Sequence, residues 1–426
     1  MSEDLKIESF KLDNGIKVFT SNLQNSQFIS INIFVGAGYR DELKNESGVA
    51  HFLEHSMFSG TKRRKDNSVI SYYIESMGGY INAITSMEYT IYYIKVPFEN
   101  FISALDIISD MFINSTFSEK FINIEKGVIL QELQHYKDTR YLDEKFSSFI
   151  YQDTALEGDI DNDINNLENI NRNLLKSFIS RCYSNDKISI SVVGNISKYN
   201  VNTEIGRYFG GINNNSNYKR EEFKLKNDKG GIFLLNKNNV QESNIILSMK
   251  SLPFNNDYFY PLMVMNYIIG VGEYSYINRL LRFELGLVYS AYSYLIRYSD
   301  NGFFSIKANI DEKNIEKALM TLLRFLNDFK KGKFYEDDID RAKGFLLGGL
   351  LSNLETSEDI ADKIVIENYY FGEPLKIINI KKSINKVNKD DILEIFNLIY
   401  KDLYLGILTP SRKNKEVYAN IISDAN

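Results

Sequence analysis

Along this chain, short apolar runs bounded by turn residues give way to longer stripes of helical period, and the alternation happens twice. Residues 186–196, Asp-Lys-Ile-Ser-Ile-Ser-Val-Val-Gly-Asn-Ile, alternate and then run apolar. That pattern predicts a strand passing from an edge into a core and ending at Gly194-Asn195. After Tyr208-Phe209-Gly210-Gly211 comes Ile-Asn-Asn-Asn-Ser-Asn-Tyr-Lys-Arg-Glu-Glu, the most loop-like stretch of the sequence. The expected organisation is therefore a domain over 1–210, a joint over 211–222 and a second domain over 223–426. Ile232–Leu235 and Ser243–Met249 predict strands of the second domain, and Tyr404–Leu408 its last one. Helical spacing occupies 256–269, 311–330, 336–355 and Glu358–Glu367. The fold class this implies is α+β, each domain being a sheet packed on one side by helices.

The candidate chemistry is concentrated in His51-Phe52-Leu53-Glu54-His55, which uses two of only three histidines. Scattered at random, three histidines would produce a pair four apart with Glu between them about once in a thousand such chains. On a helix, positions four apart lie one above the other, so both imidazoles leave one face, with Glu54 bordering it. Two imidazoles and a carboxylate beside them suit a catalytic zinc site, and the order H-x-x-E-H is the inverzincin signature. The competing reading is an amphipathic helix whose histidines border a buried surface.

A catalytic zinc usually takes a third protein ligand and leaves one position for water. His135 is one candidate. The segment Glu125–His135 offers another, because it reads as a helix interrupted only by Gly127. Glu125 and Glu132 lie seven apart on one stripe, while Val128, Ile129 and Leu133 supply apolar packing.

With H-x-x-E-H followed 77 residues after His55 by the second Glu of an E-x(6)-E pair, the chain resembles the pitrilysin-type (M16) zinc metallopeptidases. The resemblance implies that His51, His55 and Glu132 hold one Zn2+ per chain and that Glu54 is the general base. Glu125 would steady the site as a further catalytic carboxylate, leaving His135 outside it. Leu12–Val18, with Asn14-Gly15 as its turn, looks like the family's opening hairpin. Glu75–Val96 resembles the family's G-G-x-x-N-A-x-T-S-x-E-x-T segment, in which Gly78-Gly79 ends a helix and strands follow. In the family one of those strands is an open sheet edge that pairs with substrate backbone, which assigns Asn82 and Ala83 to substrate binding. The alternative for those two is a structural hairpin.

In the second half, Arg282-Phe-Glu-Leu-Gly-Leu-Val-Tyr289-Ser resembles R-x-x-x-G-L-x-Y-S, whose Arg and Tyr reach the substrate. Arg279 competes with Arg282 for that role, and the spacing of seven to Tyr289 favours Arg282. The family further implies two similar domains forming half of a clam-shaped peptidase chamber, completed by a homodimer or by a heterodimer with a related chain. The implied function is a zinc-dependent endopeptidase acting on unfolded peptides or short proteins, leader or processing peptides among them. The rival is a catalytically silent peptide-binding or scaffold subunit, which usually loses motif residues that this chain keeps.

Composition fits that picture without deciding it. At 44% hydrophobic and 25% charged over 426 residues, the chain has enough apolar material for two cores. A net charge of −6 with no basic block argues against nucleic acid as a partner. Cys182 is the single cysteine and reads as a packing residue, consistent with a reducing, cytoplasmic setting. No run approaches 18 apolar residues, and the opening residues lack the layout of a signal or transit peptide, so no membrane association is expected.

Overall fold

The computed structural model describes residues 5–226, 228–238, 242–410 and 414–423. The chain forms two compact units that are not linear halves. The first comprises residues up to Thr139, Gly158–Glu221 and Ser352–Ile377, and the second Arg140–Glu157, Glu222–Leu351 and the chain from Ile378 onward. Strands do not cross the 211–222 joint, whereas two helical segments, 140–157 and 352–377, do.

The first unit is built on a six-stranded mixed sheet. Its strands are β1 (Glu8–Lys11), β2 (Lys17–Asn22), β3 (Phe28–Val35), β4 (Tyr80–Thr85), β5 (Thr90–Pro97) and β6 (Ile188–Gly194), in the order β1-β2-β6-β3-β5-β4. The opening hairpin turns at Asn14-Gly15 as expected, with Gly15 at φ +97°. β6 runs parallel to β2 and antiparallel to β3, so the strand foreseen at 186–196 lies mid-sheet, with all seven residues buried.

That burial has a second cause. Val18, Ile31, Ile33 and Ile190 face a helical layer that includes helix Phe101–Asn114. The intervening residues Phe19, Val193, Phe34 and Ile91 pack on the other face against Ile360, Ala361, Ile364 and Val365 of helix Ser357–Phe371. The layer expected on one side is therefore joined by a cover helix on the other, which explains why β3 reads as a continuous apolar run. The polar positions of the alternation bond to this helix. Ser191 donates to the Ala361 carbonyl at 3.0 Å, and Asn32 donates to Asp362 at 2.6 Å.

The second unit carries a five-stranded sheet in the order β7-β11-β8-β10-β9. These strands are β7 (Gly231–Asn236), β8 (Ser243–Ser251), β9 (Val288–Arg297), β10 (Gly302–Ile310) and β11 (Tyr404–Thr409). Helix Ile315–Lys330 buries Ala318, Leu319, Leu322, Leu326 and Phe329, the stripe its period predicted. Among the described residues, no helix is long and apolar enough to cross a membrane.

Candidate active site

The H-x-x-E-H segment lies in helix Val49–Met57, and the geometry of its start is fixed by two residues. Gly48, at φ +83°, supplies the left-handed turn before the helix. Glu42 accepts hydrogen bonds from the Gly48 and Ala50 amides at 3.0 and 2.7 Å, satisfying groups that a helix start leaves open. Val49, Ala50, Phe52, Leu53 and Met57 turn into the core. That anchoring leaves His51, Glu54 and His55 half-buried on the remaining face.

Facing them is helix Glu119–Thr139, which continues through Gly127. It is seated by Ile122, Ile129 and Leu133, all buried. Val128 does not share that role: it is 48% exposed, because a residue four before Glu132 shares the open side of the helix. Glu132 and Glu125 both reach the histidines. His51 Nε2 and His55 Nε2 lie 3.2 Å apart, and the Glu132 oxygens lie 3.8 and 3.7 Å from them. All three ligand atoms fall within 4.8 Å of one another.

This donor set fits a zinc ion. Bonds of about 2.0–2.1 Å at tetrahedral angles put neighbouring ligand atoms about 3.3 Å apart, close to the distances present. Glu125 takes His55 Nδ1 at 2.7 Å, which leaves the Nε2 lone pair directed at the cluster. Burial pushes the His51 imidazole down to about 4, so it stands neutral as a ligand should. Tyr136 donates to Glu132 Oε1 at 2.7 Å and orients that carboxylate. His135 is exposed and takes no part in the cluster.

Glu54 is held from the sheet. The Thr85 hydroxyl donates to Glu54 Oε2 at 2.5 Å, while burial outweighs that bond and raises the carboxyl above its ordinary range. Thr85 ends β4, the outer strand of its sheet, and Asn82 and Ala83 lie three and two residues before it. Asn82 is exposed, and its side-chain oxygen accepts the Ala83 amide at 2.9 Å. Behind this strand, Arg40 and Glu88 form an ion pair at 2.6 Å with both side chains almost fully buried, joined by Arg220.

The other predicted residues belong to the second unit. Arg282 and Arg279 share a π-helical turn, Asn278–Glu284, and their surroundings differ. Arg279 pairs with Asp338 at 3.2 Å and lies over the rings of Tyr274 and Tyr276 at 4.5 and 4.3 Å. Arg282 is open to solvent and, among the described residues, its ion pair is with the exposed Glu273. Tyr289, on the outer strand β9, is 76% exposed. Cys182 is buried, which pushes its thiol up to about 12, as a packing residue's would be.

Sequence reasoning did not single out Glu42, Thr85, Glu88 or Tyr136. Thr85 and Glu88 stand there only as letters of the resembling segment, with no role of their own, and each of the four gains its meaning from a partner elsewhere in the fold.

A family model described as insulinase, peptidase family M16, matches residues 17–163, and one described as the peptidase M16 inactive domain matches 169–346. A protein of Rickettsia felis named an uncharacterized zinc protease is 31% identical over 95% of this chain and 97% of its own length. The chain belongs to the M16 peptidase family. The mitochondrial-processing peptidase subunit beta of Saccharomyces cerevisiae is 28% identical over 90% of this chain and 86% of its own length. In fold, this M16 chain is similar to a protease from Helicobacter pylori, with a TM-score of 0.87 and 22% identity over 95% of this chain and 99% of that one.

Proposed function

We propose that this chain is a zinc-dependent endopeptidase that hydrolyses unfolded peptides or short proteins, leader or processing peptides among them. The observation that carries the reading is the meeting of His51, His55 and Glu132 with the Glu54 carboxylate alongside. Bound there, zinc would lower the pKa of its water and polarise the scissile carbonyl. Glu54 takes a proton from the attacking water and returns it to the leaving nitrogen. A carboxylate raised by burial suits both halves of that task. Glu125 fixes the orientation of His55, and Glu132 adds negative charge to the ligand set. Ala83, at the open edge of β4, offers its main chain to an extended peptide while Asn82 swings aside. Recognition through main-chain bonds leaves sequence selectivity loose.

Arg282 and Tyr289 donate to substrate carbonyls and to the oxyanion. In this reading they serve the zinc unit of a second copy, so that a homodimer encloses the chamber of which each chain is half. Keeping both the metal motif and the Arg–Tyr pair in one chain supports self-assembly over a division of labour between related chains. A reducing cytoplasm suits the lone, buried cysteine. The test is Glu54→Gln, scored with a quenched fluorogenic peptide and with metal analysis. Retained zinc with a rate lowered by about 10²–10⁴ is expected of a lost general base. Cleavage at the parental rate by a zinc-loaded Glu54→Gln protein would sink the assignment.

A further inference from the structure

We infer that Thr85 is a positioning residue that ties the general base to the strand that reads the substrate. The inference rests on the peptidase reading above. Among the described residues, the one hydrogen bond to the Glu54 carboxylate comes from this residue, whose hydroxyl donates to Oε2 at 2.5 Å.

Thr85 is itself held rigidly. The Ser86 amide donates to the Tyr89 carbonyl at 2.8 Å, closing the turn between β4 and β5. From below, the amides of Tyr39 and Arg40 bond to the carbonyls of Ser86 and Met87 at 3.1 and 2.8 Å. Glu88, in the same turn, is locked by Arg40 and Arg220. Gly38 permits this approach, since a Cβ there would lie 2.1 Å from the Ser86 oxygen. The turn that directly follows the donor to Glu54 is therefore fixed by bonds at Ser86, Met87 and Glu88.

The same alternation sets where substrate would lie. In an antiparallel strand, successive residues turn their amides to opposite sides. Ser86 points inward to Tyr89, so Thr85 and Ala83 point to the open edge. Thr85 grips the base through its hydroxyl, and the Ala83 amide, capped by the Asn82 side chain, is the one that an incoming peptide would take over. Base and substrate backbone then share one rigid reference two residues apart. Proton transfer demands such registration, because a misplacement of about 1 Å at a reacting group can cost about a hundredfold in rate.

The experiment compares the full-length, zinc-loaded parent with Thr85→Val, which keeps the shape and loses the hydroxyl, and Thr85→Ser, which keeps the hydroxyl. In Thr85→Val, kcat should fall about 10- to 100-fold while KM stays within about twofold. Zinc content and melting temperature should match the parent. Thr85→Ser should recover to within about threefold of the parental kcat. A crystal structure of Thr85→Val should show the Glu54 carboxylate displaced from its parental position. Parental kcat in Thr85→Val, a loss of zinc or of melting temperature that accounts for the fall, or an unmoved Glu54 would each overturn the inference. A parent that cleaves no peptide defeats the peptidase reading instead, and the position of Glu54 in the two crystal structures still decides the role of Thr85.

Discussion

The two units treat their polar side chains in opposite ways. In the first, His51, His55, Glu132 and Glu54 are each half-buried, and the last three are held by Glu125, Tyr136 and Thr85 in turn. In the second, Arg282 and Tyr289 stand open, and among the described residues Arg282 pairs with one exposed glutamate. An exposed pair of that kind contributes between zero and about 1 kcal/mol and fixes little. Among the described residues, the second unit also has no cluster of metal-ligand type. The contrast teaches that similar layered folds can be prepared to different degrees. One set of side chains is organised before any ligand arrives, and the other stands open to solvent.

The largest effects should come from the organised side. Glu132→Gln should strip most zinc and, with it, activity, because the ligand loses its charge. Glu125→Gln should weaken zinc binding by about 10- to 100-fold while leaving the ligand set intact, as loss of an orienting partner does. His135→Asn should bind and cleave as the parent does. Metal analysis and chelator competition on the three proteins check this, and a zinc requirement for His135 in place of Glu132 would refute the ligand set.

The open side can be tested by sharing. Inactive Glu54→Gln chains mixed equally with inactive Tyr289→Phe chains should recover about a quarter of parental activity, since half the dimers are mixed and each has one intact site of two. No recovery, together with a monomer in sedimentation that still cleaves peptide, contradicts assembly across chains.

A smaller effect separates the two arginines. Arg282→Ala should lower kcat/KM about tenfold with an unchanged melting temperature, as loss of a substrate contact does. Arg279→Ala should instead lower stability by about 1–2 kcal/mol, because it removes the ion pair to the buried Asp338 and a cation from two aromatic rings. Thermal melts and steady-state kinetics on both proteins decide which arginine serves substrate.

The smallest prediction concerns the cover helix. Burial, then the neighbouring Glu358 and Asp359, raise Asp362 to about 6. Its folded pKa exceeds the unfolded value, so stability is fully present below about pH 4 and is lost as pH rises through 6. Asp362→Asn should thus gain about 1 kcal/mol at pH 7.5 and nothing at pH 4, read from urea midpoints. An equal gain at both pH values would assign the effect to packing.

Local rhythm made much of this legible. The histidine helix, the glutamate helix, the turn at Asn14-Gly15 and the stripe of Ile315–Lys330 all follow from spacing within one segment. What escaped was set by contacts distant in sequence. Arg220 reaches Asp41 across 179 residues, and the cover helix meets Asn32 across 330. The exposure of Val128 escaped for a related reason: its helix has one buried stripe, and only the facing helix shows which apolar residues belong to it. Thr85 carried a strand-former's side chain, so its bond to Glu54 was hidden behind its propensity.

The open edge of β4 has a cost beyond recognition. An unpaired row of amides and carbonyls is a template for stray chains, and folded proteins usually blunt such edges with charge, proline or a bulge. Here the residue beside the exposed amide does the blunting. Asn82 closes its own side chain over the Ala83 N–H, a cap that an incoming strand must displace. Removing that cap with Asn82→Ala should leave the edge stickier, so the side chain proposed to give way to a peptide would also keep idle molecules from adhering to one another.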